Sequence, residues 1–420
     1  MPQKAPVYKA PPAPTWSWTG FYAGAYAGVG VNQSHGFDPT GNFAGDIEYL
    51  GTGFTGGLTG GYNWQFDPHW VVGIEGDFGY LGLNHDSLQF NDVPLSVNSK
   101  TSWIGTLRGR VGYTSSGSTL AYLTGGAAWV HYDDTINVPG VGAMESAKTK
   151  LGYAVGSGIE TRLGGNWTVK SESLLVDVGH GDQLALPANF YVLEADKHRY
   201  LVQRFGLNYR FGGAPTGPLP QEHWGGFFIG GVAGTAAAQT RISAQGTAGG
   251  EFGNTGTGFT GGIIAGYNWQ FAPQWVAGVE GDFSWLGIKH SLTDYNDAGK
   301  NYELNTHWLA TARARVGYST GPALLYVTGG GAWVNYEETW QVAGLTSSST
   351  KTLGGYAVGG GIETPFTLFN LLGPGWLARS EYLYVNVGDG DTLLPASANA
   401  VVANHQFHLF RGAVVYHFGG

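Results

Sequence analysis

Between Thr52 and His85 the side chains take turns in character. Phe54, Gly56, Leu58, Gly60, Tyr62, Trp64 and Phe66 share one parity; Thr55, Gly57, Thr59, Gly61, Asn63 and Gln65 share the other. Successive side chains of an extended chain point to opposite faces, so this segment predicts a strand with one apolar face and one small, polar face. Asp67-Pro68 predicts a tight turn, because proline fixes φ and has no N–H to give to a ladder. The return segment sets Trp70, Val72, Ile74, Phe78 and Tyr80 on one side and Glu75 and Asp77 on the other. The whole passage recurs as Thr257–His290, so a module has been doubled.

A hairpin that is greasy outside, small and polar inside, and aromatic near its turn has the pattern of a transmembrane β-barrel. Composition agrees. Of 420 residues 72 are glycine, with no triplet period, so collagen is excluded. The chain is aromatic-rich and charge-poor, which argues against disorder. It has no cysteine, so its rigidity must come from elsewhere, and a closed hydrogen-bonded barrel would supply it. A formal net charge of −9 with no basic patch makes nucleic acid a poor partner. No run of roughly 18 apolar residues would make a membrane helix, but barrel strands hide their hydrophobicity in alternation. Met1-Pro2-Gln3-Lys4 leads straight into a Pro-rich segment, which reads as a mature chain whose export signal has been removed.

Along the chain the same logic predicts eight strands per half. The first begins at Trp18 and runs to Val31, and the eighth ends Tyr209-Arg210-Phe211. Long loops are expected at Asn32–Glu48, Asn84–Lys100, Asp133–Lys148 and Gly179–Lys197, alternating with short turns at Asp67-Pro68, Ser115-Ser116-Gly117 and Gly164-Gly165-Asn166. The strand from Leu120 to Tyr132 is apolar or small on both faces, so its facing stays open. The second half repeats the plan from Trp224 to Phe418. Residues 1–17 form a Pro-rich periplasmic leader, 18–211 and 224–420 two barrels, and 212–223 a Gly/Pro linker that no strand can run through. The expected fold is all-β: transmembrane antiparallel up-and-down β-barrels, two of eight strands in tandem. The alternative is one sixteen-stranded barrel with 212–223 as a turn. Eight strands leave an interior that side chains fill, and sixteen leave an aqueous channel.

Two residue sets carry the site reading. Tyr62, Trp64, Phe66, Trp70, Tyr113, Trp167, Tyr209 and Phe211 sit next to short turns or chain ends, and Tyr267, Trp269, Phe271, Trp275, Tyr318, Trp376, Tyr416 and Phe418 match them. Amphipathic rings favour the lipid–water interface, so these predict a membrane collar. Glu75, Asp77, Arg108, Arg110, Glu160, Glu172 and Arg204 point inward on this register, as do Glu280, Asp282, Arg313, Arg315, Glu363, Glu381 and Arg411. Lys170 and Arg379 add a like-charged pair of positions. Carboxylates beside arginines could suggest acid–base catalysis. The balanced signs, with no nucleophile or metal set nearby, instead predict a salt-bridge network filling a narrow lumen.

The remaining signals are weak. Gly359-Gly360-Gly361 lies inside a strand with no helix behind it and is no phosphate loop. His405 and His408 fall on opposite faces of a strand, which does not suit a shared metal or haem. Asp389-Gly390-Asp391 lacks the calcium loop around it. Asp133, Asp134, Glu337 and Glu338 are expected to be solvated. No catalytic residue, cofactor or metal ligand is assigned.

After the Pro/Lys leader, Trp18-Thr19-Gly20-Phe21-Tyr22-Ala23-Gly24 resembles the start of the small outer-membrane β-barrel proteins of alphaproteobacteria, relatives of OmpA- and OmpX-type barrels. Gly-Tyr-Asn-Trp-Gln (61–65 and 266–270), Gly-x-Glu-Gly-Asp-Phe (73–78 and 278–283), Arg-x-Arg-Val-Gly-Tyr (108–113 and 313–318) and the endings Tyr209-Arg210-Phe211 and Tyr416-His417-Phe418 extend the resemblance over nearly the whole chain. It implies an eight-stranded barrel in the outer membrane of a Gram-negative bacterium, assembled by the outer-membrane machinery through a C-terminal aromatic strand. It also implies roles in envelope integrity and surface contact. Such families usually carry one barrel, and here Gly419-Gly420 follow the final Phe. The functional expectation is a non-enzymatic structural and surface-interaction protein whose loops meet lipopolysaccharide, a host or a neighbouring cell. The alternatives are a diffusion porin or a haemin-binding surface protein.

Overall fold

The computed structural model describes residues 16–37, 46–84, 88–89, 96–115, 117–138, 142–179, 183–185, 192–212, 219, 221–244, 251–293, 300–342, 344–367, 373–393 and 400–418. The first half contains β1 (Gly20–Phe37), β2 (Asp46–Gln65), β3 (Trp70–Asn84), β4 (Leu88–Gln89), β5 (Ser96–Tyr113), β6 (Thr119–Val138), β7 (Gly142–Gly164), β8 (Trp167–Asp177), β9 (Gln183–Ala185) and β10 (Val192–Arg210). The second contains β11 (Gly226–Ala244), β12 (Glu251–Ala272), β13 (Trp275–Thr293), β14 (Lys300–Ser319), β15 (Leu324–Val342), β16 (Leu345–Pro365), β17 (Trp376–Leu393) and β18 (Ala400–His417).

Each half closes on itself. Tyr26 of β1 lies opposite Gly57 of β2 on one side and Gly206 of β10 on the other. Val232 of β11 lies between Gly262 of β12 and Ala413 of β18 in the same way. The result is two antiparallel eight-stranded barrels, β4 and β9 being short strands outside the first ring. The single sixteen-stranded barrel is thereby excluded: it would need the end of β10 beside β11, and Asn208 of β10 is opposite Gly24 of β1. Closure satisfies every ladder without a free edge, which the hydrocarbon core demands.

The strands are longer than the sequence suggests. A tilted strand crosses a bilayer in about 9–11 residues, and β7 has 23. The stretch expected to be the loop Asp133–Lys148 is largely paired hairpin, with Asp134 opposite Ser146. β1 likewise continues to Phe37 and β2 starts at Asp46, inside the expected loop Asn32–Glu48. Polar residues in sequence resemble loop, but beyond the membrane a strand has no apolar face to show.

Short turns close the other end, where Gly164 and Gly165 take φ of +129° and +52°, conformations that side chains rarely adopt. Beside these turns the aromatics meet edge to face across neighbouring strands. Trp167 and Tyr209 are 5.1 Å apart, Phe21 and Tyr62 4.8 Å, Phe227 and Tyr267 4.6 Å, and Trp275 and Tyr318 5.4 Å. Tyr113 differs from its expected lipid-facing role. It is buried, packed against Trp70 and against Phe366 of the second barrel.

That contact belongs to a seam along which the two barrels dock by their outward faces. Thr119 and Thr364 hydroxyls are 2.7 Å apart, and Ser171 and Ser380 hydroxyls 2.8 Å. The Gln203 amide donates to Ser171 at 2.8 Å and reaches Ser380 at 3.4 Å. Leu201 and Val31 pack with Ala237 and Phe410 higher up, and Gln89 pairs with Glu251.

Paired cysteines report closure cleanly, since the chain has none of its own. Ala25 lies opposite Leu207, and Gly231 opposite Val414. Oxidation is expected to link Ala25→Cys to Leu207→Cys and Gly231→Cys to Val414→Cys, read by mass spectrometry of the joined peptides. Links from 207 to 231 and from 414 to 25 would instead restore the single large barrel.

Candidate functional site

Because inward positions recur every second residue, β3, β5, β7, β8 and β10 bring their charges to one level of the first lumen. Arg108 is the hub. It donates to Glu75 at 2.8 Å, Asp77 at 2.9 Å and Glu172 at 3.1 Å. Arg204 spans Asp77, at 2.9 Å, and Glu172. Lys170 donates to Glu75 at 2.8 Å, and Arg110 to Glu160 at 3.1 Å. Tyr22 donates to Glu75 and Tyr122 to Glu172, at 2.7 and 3.0 Å. The second lumen repeats this with Arg313 on Glu280, Asp282 and Glu381 at 3.1, 2.9 and 3.2 Å. Arg411 spans Asp282 and Glu381 at 2.9 and 2.6 Å. Arg315 donates to Glu363 at 2.9 Å. All fourteen sequence-assigned charges and their partners Lys170 and Arg379 are buried, none above 8 % exposed. Each of these two layers joins four carboxylates to four cations.

The one chemical difference between the charge sets goes with a change in the donors around it. Lys170 reaches Glu75 alone, and Glu160 is completed by the Thr168 hydroxyl at 2.6 Å and the Asn208 amide at 3.0 Å. In the copy Leu377 and Val415 occupy the facing positions of that strand pair and offer no such donors. There Arg379 forks instead, to Glu280 at 2.9 Å and Glu363 at 3.0 Å. A guanidinium can serve two carboxylates at fixed angles, and an ammonium is a point charge.

Glycine makes room for this layer. A Cβ on Gly61 would stand 2.4 Å from the Tyr22 hydroxyl, one on Gly79 2.5 Å from that of Tyr26, and one on Gly158 2.5 Å from that of Tyr122. Gly266 and Gly361 leave the same space for Phe228 and Tyr326. The rings in turn lie against guanidinium groups: Arg110 is 4.7 Å from the centre of Tyr22 and Arg204 4.4 Å from that of Tyr26.

Three parts of the lumen escaped the sequence reading. Beyond the charges it is apolar: Leu81, Leu83, Ile104, Val130, Leu174 and Val176 pack across the first barrel, and Leu286, Ile288, Leu309, Val334, Leu383 and Phe407 across the second. β6 reads as apolar on both faces for this reason; its even-numbered residues from Leu120 to Tyr132 face in. A further polar tier follows. His198 shares a hydrogen bond with Ser34 at 3.0 Å and stacks on Tyr132, while His405 pairs with Thr240 at 2.9 Å and lies 3.9 Å from Glu338. Asp134 and Glu338, expected to be solvated, are buried there at 8 % and 1 % exposure. His408 faces outward and pairs with the Tyr382 hydroxyl at 2.8 Å. At the short-turn end Trp18 and Trp224 tuck under the lumens, their backbone N–H groups donating to the side-chain oxygens of Gln65 and Gln270 at 2.8 and 2.9 Å. The signal for them was present as the paired Trp-x-Gly-Phe of 18–21 and Trp-Gly-Gly-Phe of 224–227. Among the described residues no three His, Cys, Asp or Glu side chains are grouped to hold a metal. Asp389-Gly390-Asp391 falls where side chains lie outside the described residues.

Comparison with known proteins follows the same division. The family profile of the outer membrane protein beta-barrel domain matches residues 5–211 and again 210–418. The 31 kDa outer-membrane immunogenic protein of Brucella melitensis is 35 % identical over 212 residues, 48 % of this chain and 87 % of that protein. The 22 kDa outer membrane protein of Rhizobium leguminosarum is 35 % identical over 173 residues, 40 % of this chain and 68 % of that protein. Among solved structures, Neisserial surface protein A matches 47 % of this chain and all of its own at 17 % identity, with a TM-score of 0.24, too low to carry an inference.

Glu172→Ala takes one carboxylate from both Arg108 and Arg204 and leaves the buried layer with an excess positive charge, which is expected to cost about 3–5 kcal/mol. Glu145→Ala, on an exposed part of β7, should stay within about 0.5 kcal/mol. Arg379→Lys loses the bond to Glu363 and is expected to cost about 1.5–3 kcal/mol. Urea unfolding in detergent micelles, followed by tryptophan fluorescence, measures all three.

Proposed function

We infer that this chain, which belongs to the outer membrane protein beta-barrel domain family in two tandem copies and resides in the outer membrane of a Gram-negative bacterium, is a structural and surface-interaction protein rather than a channel or an enzyme. The filled lumens carry this reading. Each is occupied in turn by a buried tryptophan, a balanced ionic layer and an apolar layer. Water and ions crossing it would have to break bonds that hold buried charges in place. The diffusion porin fits this poorly. An enzyme fits it poorly too, since each carboxylate is held by fixed cations and a general acid or base must meet a reacting group.

The working surface is then the far end of the strands. The β6–β7 and β15–β16 hairpins run well past the length a bilayer needs, and they expose polar residues such as Glu145, Lys148 and Ser347–Thr350. The immunogenic character in the names of similar proteins agrees with such a surface. The partners that fit are lipopolysaccharide around the hairpins and a host or neighbouring cell beyond them. The outer-membrane assembly machinery would take the aromatic end of β18.

In planar bilayers the purified protein is expected to give no steady nanosiemens steps; such steps would favour the porin. On intact cells, Ser347→Cys is expected to react with a membrane-impermeant maleimide. Labelling only after lysis would place that hairpin on the wrong side.

A further inference from the structure

Two docked cylinders diverge on either side of their seam. On the side of β5 to β7 the divergence leaves a groove of about 400 Å³. Tyr113, Leu123 and Ile159 form one wall, and Phe366, Ser380 and Gly412 the other. The groove is continuous with the seam: Ser380 also bonds Ser171 and Gln203, and Phe366 packs on Tyr113. On β5 to β7 it uses the outward positions whose neighbours Arg110, Tyr122 and Glu160 face the lumen. It therefore lies at the depth of the ionic layer, within hydrocarbon.

Such a groove cannot stay empty beside fluid lipid, because its lining would forfeit contacts on one side. Water is a poor occupant, since a water needs two to four polar partners and the walls are mainly apolar. The lower end fixes the leaflet. Trp70, Tyr113 and Phe366 sit beside the short turns, and in barrels with an even strand number short turns are periplasmic. An acyl chain entering there comes from the inner leaflet, where the headgroup would rest at the aromatic collar.

We propose that this groove holds one acyl chain of a phospholipid of the periplasmic leaflet, wedged between the two barrels as a fixed part of the assembly. Gly412 offers a specific test. A Cβ there would meet only backbone oxygens of Arg379 and Ala233, at 3.8 and 4.0 Å, so a side chain can enter the groove without collision. Native mass spectrometry of the full chain, extracted in mild detergent, is expected to show one retained phospholipid. Gly412→Phe should lower its occupancy at least tenfold, while Val327→Phe, on an exposed outward face elsewhere, should leave it unchanged. Equal loss in both variants, no loss in Gly412→Phe, or retained lipopolysaccharide in place of phospholipid would overturn the proposal. The unaltered protein supplies an independent reading in vesicles containing a phospholipid with a diazirine on its acyl chain. Crosslinks are expected to concentrate on Leu123, Ile159 and Phe366; an even spread over the outward faces of both barrels would refute a fixed site.

Discussion

Inside hydrocarbon a backbone N–H or C=O has no water to turn to, so a sheet must bond its last strand to its first. That single demand sets the rest. Closing at eight strands leaves an interior only as wide as the side chains that fill it. What the inner faces carry must therefore fit together, in volume and in charge. Glycine opposite Tyr22, Tyr26 and Tyr122 answers the volume. Four carboxylates facing four cations answer the charge.

The duplication provides a control within one molecule. Where Lys170 stands in one barrel and Arg379 in the other, the neighbours differ: Glu160 takes its added donors from Thr168 and Asn208, and Glu363 takes one from Arg379. What both barrels keep is a guanidinium on this carboxylate, Arg110 on Glu160 and Arg315 on Glu363, while the further donors differ in kind and number. Leaving such a group short of partners in a dry site costs more than a good bond adds.

Parity made much of this legible. Glu75, Asp77, Arg108 and Arg110 could be placed inward from alternation alone, because near the short turns the outward partners are plainly apolar. The same test fails where both environments are apolar, as in β6, whose Ala128 and Val130 pack across the lumen while its other face meets lipid. It fails again past the membrane, where Asp134 and Glu338 look like loop residues yet sit inside a continuing barrel. Tyr113 and Gln203 show a third limit. Alternation says that a residue points outward, but not whether lipid or protein awaits it there.

Gln203 is the more informative of these two. An amide turned toward lipid would be costly, yet here it joins Ser171 and Ser380. In hydrocarbon the hydrophobic effect cannot drive two greasy surfaces together, so association rests on close packing of small residues and on polar contacts. The seam has this composition: Thr119, Thr161 and Thr364, then Ser171, Ser380 and Gln203, with Ala237 above. Such contacts are individually weak. Covalent linkage changes their weight, because a tethered partner is present at a high effective concentration. A single chain carrying both barrels can therefore hold a seam that two separate barrels in the same membrane would release.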